Sequence, residues 1–128
     1  MSIVRPAHEI PMQSIEVARG AARQLLLGEE THSSFHTRRF RMEPGGGMPR
    51  HTNSVEHQQY VLAGEAAVGI GDRVHRVVPG TIVHIPAGVP HWYRVEGGTP
   101  FEFLCMVPAD EDRVELLGSE IPDDPVSE

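Results

Sequence analysis

From residue 58 to residue 107 the chain alternates short apolar, β-forming runs with turn residues at near-even spacing. Residues 58–63 stop at Gly64, residues 66–70 at Gly71 and Asp72, and residues 74–78 at Pro79 and Gly80. Residues 81–85 run into a turn with Pro86, Gly88 and Pro90; residues 91–95 end at Gly97 and Gly98, and residues 101–107 at Pro108. Runs of this length, rich in Val, Ile, Tyr and Phe and closed by Gly or Pro, predict strands. Six in succession, with no helical segment long enough to join parallel strands, predict an all-β sandwich or barrel. Upstream, residues 34–42 predict another strand, with Phe40 and Met42 on one face. His36 and Arg38 share that parity, so each faces either a pocket or solvent. The cluster at 43–49, with Pro44, Gly45, Gly46, Gly47 and Pro49, predicts a turn where that strand stops. Residues 14–18 and 22–27 read as two short strands split by Arg19 and Gly20, with one weak helix over 15–27 as the competing reading. Residues 1–13 hold Pro6 and Pro11 without any period and read as an extended arm.

Charge adds a boundary to this picture. The net charge of the 128-residue chain is -7, and residues 110–128 hold eight acidic side chains against one Arg. The first 109 residues are therefore balanced. They read as a single barrel domain, and residues 110–128 read as a flexible acidic tail with a short helical turn near 113–117. No basic stripe exists for nucleic acid. The chain has no lysine, which excludes a lysine Schiff base and a P-loop. Cys105 is the single cysteine, so no intramolecular disulfide forms. With no apolar leader or membrane-length run near the N-terminus, the expected location is cytoplasmic.

The candidate chemistry is a histidine cluster. His51, Asn53 and His57 fall within seven residues, and His91 opens a strand. In a strand, residues i and i+2 point to one side, so His51 and Asn53 share a face and His57 rejoins it after a short bend. Tyr93 and Val95 share the side of His91. Imidazole is the commonest protein ligand for mid-row divalent metals, and three imidazoles from two strand regions can converge on one ion. The plain alternative for each is a surface or hydrogen-bonded core histidine, and His8, His32, His75 and His84 read that way. Parity also offers Phe101, Phe103 and Cys105 as pocket walls beside Tyr93; core packing competes for the phenylalanines, and a small buried hydrophobe competes for Cys105. Glu56 points away from His51 and His57, so no carboxylate of ligand parity lies beside the cluster.

The residues also carry a resemblance. Gly45-x5-His51-x-Asn53-x3-His57-x6-Gly64 and Gly80-x5-Pro86-x-Gly88-x2-His91 resemble the two motifs of the cupin superfamily, over roughly residues 35–108. The resemblance implies a jelly-roll, or double-stranded β-helix, barrel. In that pattern the first motif supplies two histidines and a carboxylate, and the second a third histidine. His57 stands where the general pattern has Glu. Glu56, His57, Tyr60 and Gly64 are similar to small single-domain manganese cupins with four histidines, and Asn53 stands where that subgroup has its second histidine. The implied ligands are His51, His57 and His91. Asn53 is a candidate fourth ligand, a hydrogen-bond partner for bound water, or a space filler. The implied cofactor is one divalent transition metal, Mn first and Fe, Cu, Zn or Ni behind it.

The expected function is a metal-dependent, dioxygenase-like oxidoreductase acting on a small organic substrate in the barrel. The missing carboxylate favours redox chemistry over a cupin isomerase or lyase. A non-catalytic small-ligand or metal-binding module, and a metal-free structural barrel, are the other readings. Exposed sheet edges and an extended arm lead to the expectation of a homodimer, as in similar cupins.

Overall fold

One long strand is the hub of the sheet. The computed structural model describes residues 2–127. After β1 (Gln13–Ser14) and β2 (Arg19–Leu27), β3 runs from Phe35 to Asn53, and it pairs with four others. Its first half pairs β2 and, on the other edge, β9 (Phe101–Pro108); its second half pairs β8 (His91–Glu96) and β10 (Val114–Leu116). Outward from this hub, β4 (His57–Ala63) joins β9 and carries β7 (Ile82–Ile85) at the edge. On the opposite wing β5 (Glu65–Ile70) joins β8 and carries β6 (Arg73–Val77). All these pairings are antiparallel, and the curled sheet is a jelly-roll β fold.

The inner face follows the predicted alternation. On β9, Phe101, Phe103, Cys105 and Val107 are buried while the residues between them are half-exposed. Phe40, Met42 and Val61 meet them in the core. Each such side chain taken fully out of water contributes roughly 1.5–3 kcal/mol.

Three expectations are corrected here. The strand does not stop at 43–49, since β3 passes through it. Two of its three glycines serve close backbone approach instead: a Cβ on Gly47 would lie 2.1 Å from the Tyr93 carbonyl oxygen, and one on Gly46 2.4 Å from that of Arg19. Residues 14–18 supply only the end of β1, and Arg19 and Gly20 belong to β2, where Gly20 (φ 61°) sits in a register shift. Residues 113–117 form no helical turn, and the acidic segment is tied down. Val114, Glu115 and Leu116 pair with Asn53, Thr52 and His51. Further on, Arg94 donates to the carbonyls of Pro122 and Asp124, and Ser127 exchanges hydrogen bonds with Val74. Among the described residues, no helix is long and apolar enough to cross a membrane.

Candidate functional site

Three strand ends bring the histidines together. His51 and Asn53 close β3, His57 opens β4 and His91 opens β8, with His51 directly opposite His91 in register. The His51 and His91 rings lie 4.2 Å apart between centroids, and those of His57 and His91 6.0 Å. All four side chains are buried and line a cavity of about 530 Å³.

Backbone carbonyls orient two of the rings. His51 Nδ1–H donates to the Pro49 oxygen at 2.8 Å, and His91 Nδ1–H to the Val89 oxygen at 2.9 Å. A carbonyl only accepts, so each Nδ1 holds the proton and each Nε2 is a bare lone pair. Metal-ligating histidines are held in this way, with the ring nitrogen away from the ion fixed by an acceptor. Burial, together with the neighbouring His51 and His57, pushes His91 down to about 3, and burial lowers His51 as well. Both rings are neutral and ready to donate a lone pair.

The third histidine faces a carboxylate that the sequence pattern did not flag. Asp112, just before β10, accepts from Asn53 Nδ2 at 3.1 and 3.2 Å, and its Oδ2 lies 3.1 Å from His57 Nε2. Burial alone would lower His57, but its hydrogen bonds to Asp112 and Cys105 outweigh that and raise it. For Asp112 burial acts upward, and hydrogen bonds from His57 and Asn53 hold it below the usual carboxylate range. The other face of His57 meets Cys105, whose Sγ is 3.5 Å from Nδ1. Burial pushes that thiol up, and His57 and Arg38 outweigh it and bring it down.

The donor types, though not their present spacing, suit a divalent ion. Asn53 Oδ1 and His91 Nε2 are buried acceptors with no hydrogen-bond partner. An orphaned acceptor in a dry site is unfavourable unless an electrophile or water meets it. Two orphans beside the bare Nε2 of His51 form the nitrogen-and-oxygen set that mid-row metals take. Among the described residues, no three His, Cys, Asp or Glu side chains already stand at metal-holding distance; His57 Nε2 is engaged by Asp112 instead.

Of the expected pocket residues, Arg38, Tyr93 and Phe103 line the cavity, and His36, Phe101 and Cys105 do not. Phe101 is core, with its ring 5.3 Å from Phe103. Cys105 lies behind His57, and His36 sits half-buried near the start of β3, opposite Val107. Besides Asp112, sequence reasoning missed Gln59, which donates to the Tyr93 hydroxyl at 2.7 Å, and the segment from Gln13 to Val17, which also lines the cavity. Gln59 was legible, since it shares the parity of His57 on one strand. Asp112 was not, because it lies in an acidic run without period.

A cupin-domain family model matches residues 38–107. The chain belongs to the cupin family. Among curated proteins, this cupin is 30% identical over 98 residues to 1-methylthio-D-xylulose 5-phosphate methylsulfurylase of Rhodospirillum rubrum, covering 77% of this chain and 62% of that protein. It thus spans less than two thirds of that relative's length. Among solved structures, the polyketide cyclase RemF from Streptomyces resistomycificus superposes with a TM-score of 0.83 at 25% identity, over 98% of this chain and 90% of RemF. A predicted oxalate decarboxylase from Thermotoga maritima gives 0.74 at 23% identity, over 83% and 98% of the two chains, and shares the fold.

Proposed function

We propose that this cupin is a metal-dependent enzyme that moves protons on a small, oxygen-bearing organic molecule held in the barrel. The observation that supports this reading best is Asp112, an ionisable carboxylate set between His57 and Asn53 on the cavity wall. The dioxygenase-like expectation leaned on the lack of such a group. With Asp112 present, redox chemistry becomes the second reading, supported by the open, neutral histidine set.

His51, His57 and His91 would hold the ion, with Asn53 Oδ1 as the fourth donor and Mn the first candidate among Mn, Fe, Cu, Zn and Ni. When bound, such an ion acts as a Lewis acid on a substrate oxygen and makes neighbouring protons more acidic. The chain's own residues do the rest. To serve as a ligand, His57 would release to solvent the Nε2 proton it now donates to Asp112, and Asp112, left ionised, would be the acceptor for a substrate proton. Tyr93, pushed up by burial, stays neutral and keeps its hydroxyl on Gln59. Phe40, Phe103 and Tyr93 stack as one apolar wall, with centroids 5.0 and 5.3 Å apart, which limits water on that side. By name, two of the relatives act on a polyketide and on a ketose phosphate, both oxygen-rich molecules with carbonyl chemistry. A homodimer and a cytoplasmic location belong to the same proposal. Exposed Tyr60, Leu62 and Ile82 on β4 and β7 support the first, and the free thiol of Cys105 the second.

Metal content of the parent, His57→Ala and His91→Ala proteins tests the site, with a near-stoichiometric first-row metal expected in the parent and lost in both variants. Asp112→Asn then tests the chemistry. It should retain metal while losing exchange of solvent deuterium into enolisable ketones. Substrate-dependent oxygen uptake that survives Asp112→Asn would instead favour the oxidoreductase reading.

A further inference from the structure

We propose that Arg38 is the anion subsite of this cavity and receives the carboxylate of a small organic acid. The inference deepens the reading above, because it takes the cavity as a substrate site and names the class of molecule that enters it.

Arg38 lies on β3 with 8% of its surface exposed, and it lines the same cavity as the histidines. A guanidinium has five N–H donors. Among the described residues, Arg38 makes one hydrogen bond, from Nη2 to the sulfur of Cys105 at 3.4 Å. Nε is buried with no acceptor. The one carboxylate nearby, Asp112, is 3.8 Å from Nη1, an ion-pair distance too long for a hydrogen bond. Its oxygens are committed to Asn53 and His57. A buried cation so poorly supplied with acceptors is strongly unfavourable unless something else provides them.

The head group is nonetheless held in place. Its central carbon sits 5.1 Å over the Phe40 ring, and Cys105 fixes one Nη. A planar fork fixed by an aromatic face and lacking oxygen acceptors is matched by a carboxylate, which can take two parallel N–H bonds. Charge points the same way. Arg38 and Asp112 cancel, so any divalent ion on the neutral histidines leaves the cavity with excess positive charge, which an anionic substrate offsets. A volume of about 530 Å³ suits a small molecule, and the Phe40–Phe103 stack offers its body an apolar wall.

The test compares acids with their uncharged amides. Benzoate, pyruvate and malonate, each beside its amide, are titrated by calorimetry into the full chain, once metal-loaded and once chelator-stripped. At least one acid is expected to bind tenfold or more tightly than its amide. Arg38→Gln should abolish that preference, and Arg38→Lys should keep part of it. No acid preferred over its amide in the parent, or an undiminished preference in Arg38→Gln, overturns the proposal. The parent comparison needs no variant, so it stands even if Arg38→Gln fails to fold. Preference in the stripped protein alongside absent metal uptake would defeat the metal reading and leave the Arg38 subsite intact.

Discussion

His91 shows how much one residue's surroundings decide. Its ordinary value of 6.5 falls to about 3 through burial and the two neighbouring imidazoles. The unfolded chain therefore binds a proton that the folded chain refuses between those values. Stability of the metal-free protein should fall as pH drops from about 6.5 toward 3, by up to roughly 1.4 kcal/mol per pH unit from this group. His51, also lowered, adds to the loss. His57 is raised, so its contribution is complete below the ordinary histidine value, leaves the acid slope there unchanged, and is lost only as pH rises through its folded value. Asp112 is lowered, so its contribution disappears only at still lower pH, as its folded value is crossed. Urea unfolding of the chelator-stripped protein between pH 4 and 7 should show a shallower acid slope in His91→Gln than in the parent; equal slopes would refute this account. Asn53 makes a second test. In the proposed site its Oδ1 would be a weak donor among imidazoles, so Asn53→His should raise metal affinity by roughly tenfold or more in a chelator competition. No gain would mean that position 53 does not face the ion.

At the scale of elements, β3 explains the glycine run. Motif and turn chemistry both marked residues 45–47, but a break and a continuous strand that passes through positive-φ glycines use the same residues. What separates them is the partner: Gly47, at φ 153°, passes against the Tyr93 carbonyl. Gly47→Ala should destabilise the fold by about 2 kcal/mol or more, through contact and backbone strain together. Gly45 also has positive φ, but nothing lies within 4 Å of the place its methyl group would take, so Gly45→Ala should show strain alone, about 1 kcal/mol. Equal melting temperatures for the two variants would show that the close approach does not matter.

For the whole molecule, the acidic segment is the main surprise. Composition predicted a solvated tail, yet its first part carries Asp112 into the cavity and its last part lies along the outer face of β8. There Arg94 sits 5.3 Å from the ring of Trp92, which is buried on the side away from the cavity beside Ala67 and Val74. Trp92 is the sole tryptophan, so its emission reports on this layer. Truncation after Leu117 should redshift that emission and lower the melting temperature while keeping Asp112 and metal binding. Truncation after Ala109 should in addition weaken the metal site. Unshifted emission in the shorter-tailed protein would argue that residues 118–127 do not cover Trp92.

Local chemistry in the sequence determined the strands, the inward parity of His51, Asn53, His57 and His91, and the family to which their spacing belongs. Those properties follow from a two-residue side-chain period and from the punctuation of Gly and Pro, which act over a few residues. The tertiary structure alone decided which side chains share the cavity. Parity treats His36 and Arg38 alike, as it does Phe101 and Phe103, yet the curl of the sheet places one of each pair on the cavity and the other off it. It also decided that Asp112, 55 residues from His57, supplies the carboxylate. No local period encodes such a meeting, because it depends on how β10 closes onto the far end of β3.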